Sequence, residues 1–72
     1  MPTAMPERLA NGLKDRRAEL GLTQAELAER VGVTRKTVNT VENGVFTPSA
    51  TLAIKLAQAL NLSVEDLFWI ER

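Results

Sequence analysis

The chain has 72 residues, enough for one small domain, with nine basic and nine acidic residues and a formal net charge of zero. It contains no cysteine and no histidine, which excludes disulfides, the usual zinc ligands and the commonest general base. No apolar run is long enough to cross a membrane and no signal peptide is visible, so we expect a soluble intracellular protein without a membrane partner.

The first part of the chain contains two prolines and then leucines at helical spacing. Residues 1–5 predict a disordered N-terminus. Pro6 suits the first turn of a helix, so we expect helix one to run from about Pro6 to Leu20 and to end at Gly21.

The next two helices are marked by their ends. Thr23 predicts the N-cap of helix two, and Glu26 three residues later completes a capping box. Gly32 stops that helix, and Thr34 caps helix three, which runs from about residue 35 to residue 42. Two helices separated by a glycine turn of this length predict a helix-turn-helix over about residues 23–43.

The remaining sequence predicts a fourth helix from about Ser49 to Leu60, stopped at Asn61, and a short fifth helix that begins after Ser63 and continues through Phe68. No segment alternates polar and apolar residues with period two, so no strand is expected. The prediction is an all-α, compact five-helix domain over residues 6–70, followed by a tail of residues 71–72.

Helix three has an outer face without acidic residues. On a helical wheel Val38 and Val41 point inward, and a polar arc of about 140° faces the other way. The arc contains Arg35, Lys36, Asn39, Thr40 and Asn43. Its cations suit guanine edges and phosphates, and its amide suits adenine. An ordinary solvated face remains open as the alternative from the arc alone.

The two cations also lie in the wrong place for an isolated helix. The N-terminal turn of a helix carries partial positive charge, so Arg35 and Lys36 cost stability there unless anions approach that end. The residues around them contain more bases than acids: residues 30–55 hold four basic residues and one acid. The net charge of zero, by contrast, gives no support for nucleic-acid binding.

Two charged residues lie close to apolar stripes and are expected to pair. Arg17 lies near the stripe of helix one, and Glu42 lies at the inner edge of helix three. A partly buried charge needs a partner, so we predict an ion pair that braces helix one against helix three. Arg16 also lies near the stripe, and the helical wheel does not choose between the two arginines.

Two segments carry a family resemblance. "LTQAELAERVGVTRKTVNTVENG", residues 22–44, and "PSATLAIKLAQALNLSVEDLF", residues 48–68, resemble the Cro-like, or xenobiotic-response-element (XRE), helix-turn-helix family of phage and bacterial repressors. The resemblance implies a phage-repressor-like fold and a transcriptional regulator of the prokaryotic or phage cytoplasm, associated with the nucleoid. It also implies double-stranded DNA as partner, with the helix of residues 34–43 in the major groove, and no cofactor, metal or catalytic residue.

The resemblance implies a role for individual residues. Base contacts are expected from Arg35, Lys36, Asn39 and Thr40, and phosphate contacts from Thr23, Gln24, Thr37 and Asn43. It also favours Arg17 over Arg16 as the partner of Glu42. Two positions depart from the family pattern. Val45 replaces a frequent Lys or Arg and removes one phosphate contact, while Arg16 replaces a frequent Leu and is expected either to be exposed or to reach toward the DNA backbone.

The apolar cluster "LFWI", residues 67–70, allows two interpretations. All four side chains fold under helix one, or Trp69 and Ile70 form an apolar patch, joined by Ile54, that seals a homodimer. The second interpretation fits a repressor that binds a palindromic operator as a homodimer. The alternative function is a protein-interaction module, such as an antitoxin-like or adaptor subunit, that uses this C-terminal patch. No small-molecule effector is evident, and the chain is not expected to be an enzyme.

Overall fold

A computed structural model describes residues 7–71, which form five helices and one two-stranded sheet. In chain order the elements are β1 (Arg8–Asn11), α1 (Leu13–Glu19), α2 (Gln24–Val31), α3 (Arg35–Glu42), α4 (Ala50–Ala59), α5 (Val64–Leu67) and β2 (Phe68–Glu71). The all-α five-helix architecture is confirmed, with the sheet as a small addition. The longest helix has ten residues, so no helix in the described range could cross a membrane. The predicted disordered start, residues 1–5, lies outside that range.

The beginning of the predicted first helix is wrong, because residues 8–11 form a strand and α1 begins only at Leu13. Two hydrogen bonds explain the boundary. The Asn11 side-chain oxygen accepts from the Leu13 amide at 3.1 Å, and the Gly12 amide donates to the Leu67 carbonyl at 2.9 Å. The chain therefore turns at Asn11 and Gly12, and tertiary pairing replaces the local helix preference.

The expectation that no strand would form is also wrong, since β2 pairs antiparallel with β1. The segment Phe-Trp-Ile is aromatic and β-branched, which favours extended backbone once a partner strand is present. The predicted fifth helix consequently ends at Leu67, one residue early, and Phe68 has extended dihedral angles. The strand reaches Glu71, so regular structure extends one residue past the predicted domain limit at residue 70.

The predicted N-caps of helices two to five and the predicted stops after helices two and four are confirmed. At each start a hydroxyl accepts from an amide three residues on; the four caps are Thr23, Thr34, Ser49 and Ser63. Gly32 ends α2 with φ of 77°, and Asn61 follows α4 with φ of 57°, both left-handed conformations that glycine and asparagine adopt more readily than other residues.

The core fixes the direction in which α3 faces. Val38 and Val41 are 1% and 2% exposed and pack among the other buried apolar side chains. These are Leu13, Leu22, Leu27, Ala28, Val31, Leu56, Ala57, Leu60, Leu67 and Phe68. Because the valines point inward, the polar residues on the opposite side of the wheel must face away from the domain.

Candidate nucleic-acid interface

The outward face of α3 carries polar side chains that the domain itself does not use. Arg35, Lys36 and Asn39 are exposed, and their side chains make no hydrogen bond or ion pair with any residue between positions 7 and 71. No acidic residue lies in the first turn of this helix. The arc therefore presents cations and an amide to an external partner at the positive end of a helix dipole.

The N-terminus of α2 lies beside the start of α3. Thr23, Gln24 and Arg35 line one surface hollow. The first-turn amides of a helix have no partner within the helix, and they attract anions. The Glu26 amide donates to the Thr23 hydroxyl at 3.0 Å, and the Thr23 side chain also forms a hydrogen bond with the Glu26 carboxylate. This hollow offers phosphate-type contacts within reach of Arg35.

A partly buried network joins α1, α2 and α3 behind the exposed face. Arg17 donates to both Glu42 oxygens, at 2.8 Å and 3.2 Å, so the pair expected from the wheels is formed with Arg17. Gln24 donates to the same carboxylate at 3.0 Å, and Arg17 also donates to the Leu22 carbonyl at 2.9 Å. The hydrogen bond with Glu42 raises the pKa of Arg17, which stays charged throughout the accessible range.

Arg16 has a role that neither sequence expectation anticipated. Its Nε donates to the Leu60 carbonyl at the end of α4 at 2.9 Å, and a terminal nitrogen lies 3.4 Å from Glu19. The side chain is 26% exposed. Arg16 therefore neither lies free in solvent nor extends toward α3: it caps the carbonyl end of α4, where a cation is favourable.

The remaining polar residues of α3 are partly committed to the helix itself. The Thr40 hydroxyl donates to the Thr37 carbonyl at 2.9 Å, and the Thr37 hydroxyl lies 3.0 Å from that of Thr34. The Asn43 side-chain amide donates to the Asn39 carbonyl at 2.8 Å. Thr40 and Asn43 can still accept hydrogen bonds from DNA or another partner. Their side-chain donors, however, are already partly used within the helix.

Two exposed apolar residues follow α3; the family resemblance implies only a lost phosphate contact for the first and no role for the second. Val45 is 78% exposed and Phe46 is 48% exposed. Both backbone amides donate to the Thr40 carbonyl, at 2.9 Å and 3.2 Å, so the loop is tied to the last turn of α3. The sequence signal for this exposed apolar pair was two consecutive apolar residues in a short segment between Gly44 and Pro48.

Asn11 is a second residue that the sequence analysis missed. Its side-chain nitrogen donates to the Val41 carbonyl at 2.9 Å while its oxygen accepts from Leu13. Asn11 therefore links β1 and α1 to the last turn of α3. The sequence signal was the dipeptide Asn-Gly at positions 11–12, a turn marker inside the predicted first helix.

The three dimer candidates lie on different surfaces. Trp69 pairs with Ala10 and Ile70 pairs with Leu9. Neighbouring side chains on a strand point to opposite faces, so Trp69 and Ile70 do not form one flat patch. The Trp69 ring lies against the turn at Gly12, 3.7 Å from where a β-carbon would be. Ile54, on α4, is 47% exposed; Trp69 and Ile70 are 44% and 56% exposed.

No group of three or more His, Cys, Asp or Glu side chains that could hold a metal ion occurs within residues 7–71. Glu19, Glu26, Glu42 and Glu71 instead accept hydrogen bonds from neighbouring residues. Thr23 hydrogen bonds to Glu26 lower the pKa of that carboxyl, and the hydrogen bond from Arg8 lowers the pKa of Glu71. The exposed surface around α3 can bind anions and donate hydrogen bonds.

Comparisons with known proteins agree with this geometry. The family model described as helix-turn-helix matches residues 13–67. An uncharacterized HTH-type transcriptional regulator of Bacillus subtilis strain 168, YgzD, is 44% identical over 63 residues, covering 88% of this chain and 96% of the relative. The antitoxin HipB of Escherichia coli K12 is 37% identical over 59 residues, covering 82% of this chain and 67% of HipB. Among solved structures, the P22 c2 repressor in complex with a synthetic operator matches with a TM-score of 0.71 and 28% identity, over 74% of this chain and 80% of that one.

Proposed function

This chain belongs to the helix-turn-helix family of transcriptional regulators, and we propose that it is a repressor that acts in the cytoplasm as a homodimer on a palindromic DNA operator. The observation that carries the proposal is the face of α3. Arg35, Lys36 and Asn39 point outward without a partner among residues 7–71, next to the N-terminus of α2. Positive charge without an internal partner, at the positive end of a helix, fits the phosphates and guanine edges of duplex DNA.

The proposed contacts divide by chemistry. Base edges in the major groove are read by Arg35, Lys36, Asn39 and Thr40. Phosphates are bound by Thr23, Gln24, Thr37 and Asn43. Gln24 has one amide hydrogen on Glu42, so the other is available for a phosphate. Phosphate contacts set the register of the domain on the duplex, and base contacts set its sequence preference.

The experiment that tests this function starts with selection of bound duplexes from a random pool, which yields the half-site and its spacing together. With the selected duplex at fixed salt, Arg35→Ala is expected to cost about 1–3 kcal/mol of binding and to relax the preference at one base pair. Lys55→Ala is the matched control, because it removes one exposed cation from α4, away from α3. Equal affinities for wild type and Arg35→Ala would contradict the assigned readout.

The homodimer is tested separately. Two-fold symmetry would place two copies of α3 about 34 Å apart on one side of the duplex. Because Trp69 and Ile70 point to opposite faces of the sheet, Trp69→Ala and Ile70→Ala are expected to differ in their effect on a dimer. Ile54→Ala reports on the α4 surface. Sedimentation equilibrium of the three variants identifies the face, and a monomer at all concentrations, with and without operator, would contradict the homodimer.

A second candidate function is a protein-interaction module, such as an antitoxin-like or adaptor subunit, that uses the C-terminal apolar patch. It is supported by the similarity to the antitoxin HipB and by the net charge of zero. Titration of a labelled random duplex against salt separates the candidates. A DNA reader should show log K falling linearly with log salt. A module that binds only proteins should show no saturable binding to DNA.

A further inference from the structure

An apolar hollow adjoins the polar arc of α3. It is lined by Lys36, Thr37 and Thr40 from the helix and by Val45 and Phe46 from the following loop. Val45 and Phe46 expose a large part of their side chains in this position. Apolar residues that are exposed singly need no explanation, but two adjacent ones beside a basic helix form a small patch of defined chemistry.

The hollow is held in place by hydrogen bonds. The amides of Val45 and Phe46 both donate to the Thr40 carbonyl, which keeps the two side chains beside the last turn of α3. The Thr40 hydroxyl is turned back to the Thr37 carbonyl at 2.9 Å. A hydroxyl held in this way leaves the threonine methyl group to contribute apolar surface next to the loop.

We propose that this hollow receives the C5-methyl group of a thymine in the operator, so that Val45 and Phe46 determine specificity beside the polar contacts of α3. The proposal rests on the DNA-binding function proposed above. Lys36 belongs both to the proposed base-reading arc and to the lining of the hollow, so the two surfaces are continuous. In the major groove the thymine methyl is the one apolar group on a base edge, and threonine methyl and phenylalanine side chains suit it.

The same geometry gives the apolar side chain of Val45 a proposed role in place of the lost phosphate contact. A basic residue at this position would add a phosphate contact that does not depend on sequence. An apolar residue adds no such contact, but it adds surface that distinguishes thymine from the other bases. The loop therefore lowers the sequence-independent affinity for DNA and adds a preference for thymine at one position of the half-site.

The test uses deoxyuridine, which differs from thymidine only by the missing methyl group. The probe is the tightest duplex selected from the random pool, with each thymine replaced in turn by deoxyuridine. Burial of one methyl group corresponds to about a fourfold difference in affinity per half-site. We expect wild-type protein to lose about fourfold at one thymine of each half-site, and Phe46→Ala to bind the thymine and uracil duplexes equally.

Two further variants keep the test decisive. Val45→Thr preserves the side-chain shape and replaces a methyl group by a hydroxyl, at a site too exposed for the change to unfold the domain. It is also expected to reduce the thymine-to-uracil ratio. Leu20→Ala removes a comparable apolar side chain, 42% exposed, outside the hollow and should leave the ratio unchanged.

Each other outcome has a defined meaning. If the duplex binds but no uracil substitution changes affinity by more than about twofold, the methyl-binding proposal is overturned while the proposed DNA-binding function stands. If Phe46→Ala changes the oligomeric state or the capture of a protein partner and the thymine-to-uracil ratio is retained, the hollow is a protein contact and the proposal is again overturned. If no duplex binds, the proposed function itself fails.

Discussion

Glu42 is the residue on which three parts of the domain converge. Its side chain is 4% exposed and accepts hydrogen bonds from Arg17 and Gln24. A buried carboxylate is tolerated only with partners of this kind. Gln24 lies at the start of α2 and Glu42 at the end of α3. Their hydrogen bond therefore joins the N-terminus of α2, the proposed phosphate-binding end, to the C-terminus of α3.

We predict that Glu42→Ala lowers the free energy of unfolding by about 2–4 kcal/mol, since it leaves a partly buried arginine without its counter-charge. Glu19→Gln is the control: its pair with Arg16 is 3.4 Å apart with Glu19 66% exposed, so a loss below about 1 kcal/mol is expected. Urea denaturation measures both. Similar losses for the two variants would show that the network around Glu42 contributes no more to the free energy of unfolding than a surface ion pair does.

At the scale of elements, α3 has a helix start that is unfavourable in the free protein. Arg35 and Lys36 occupy its first turn without an acid. We predict that Arg35→Glu raises the free energy of unfolding by about 0.3–1 kcal/mol, because an acid complements the positive end of the helix. The same change should abolish operator binding. Thermal unfolding and a binding titration are the two measurements, and an unchanged or lower melting temperature would contradict the dipole argument alone.

The start of α2 is favourable and predicts a pH dependence. The Thr23 amide donates to the Glu26 carboxylate at 2.9 Å, and these hydrogen bonds lower the pKa of Glu26 below its ordinary value of 4.5. A lowered folded-state pKa means that the stabilisation is fully present above the unfolded-state pKa and is lost as pH falls through the folded-state value.

We therefore predict that the stability difference between wild type and Glu26→Gln is largest near pH 6 and shrinks on acidification below about pH 4.5. Urea denaturation between pH 6 and pH 3 measures it. Glu29→Gln, which changes an exposed acid of the same helix outside its first turn, is the control and should show a smaller change. A difference that stays constant with pH would contradict the assignment.

At the scale of the whole molecule, the strand pair joins the two ends of the described chain to α3. Phe68 is 6% exposed and belongs to the core, while Asn11 in the partner strand holds the last turn of α3. Small domains hide a limited share of their surface, so one buried aromatic side chain is a large fraction of their stability.

We predict that Phe68→Ala lowers the free energy of unfolding by about 3–5 kcal/mol. Phe46→Ala is the matched control, because the same side chain is 48% exposed there and should cost less than about 2 kcal/mol. Circular dichroism during urea unfolding measures both. A Phe68→Ala variant as stable as Phe46→Ala would mean that β2 is not part of the core.

Short-range rules make one part of this domain predictable from its sequence. The caps Thr23, Thr34, Ser49 and Ser63, the stops at Gly32 and Asn61, and the inward valines of α3 follow from hydrogen-bond geometry and helical spacing within a few residues. The direction of the polar arc followed in turn, because α3 buries one defined side.

Contacts between residues far apart in the chain could not be predicted in this way, because they depend on the tertiary fold. Residues 8–11 favour helix locally, but residues 68–71, some 60 positions later, provide a strand partner. The turn of Asn11 toward α3 and the position of Arg16 at the end of α4 likewise arise from packing. No local pattern contains these contacts, because each forms only when distant segments have been brought together.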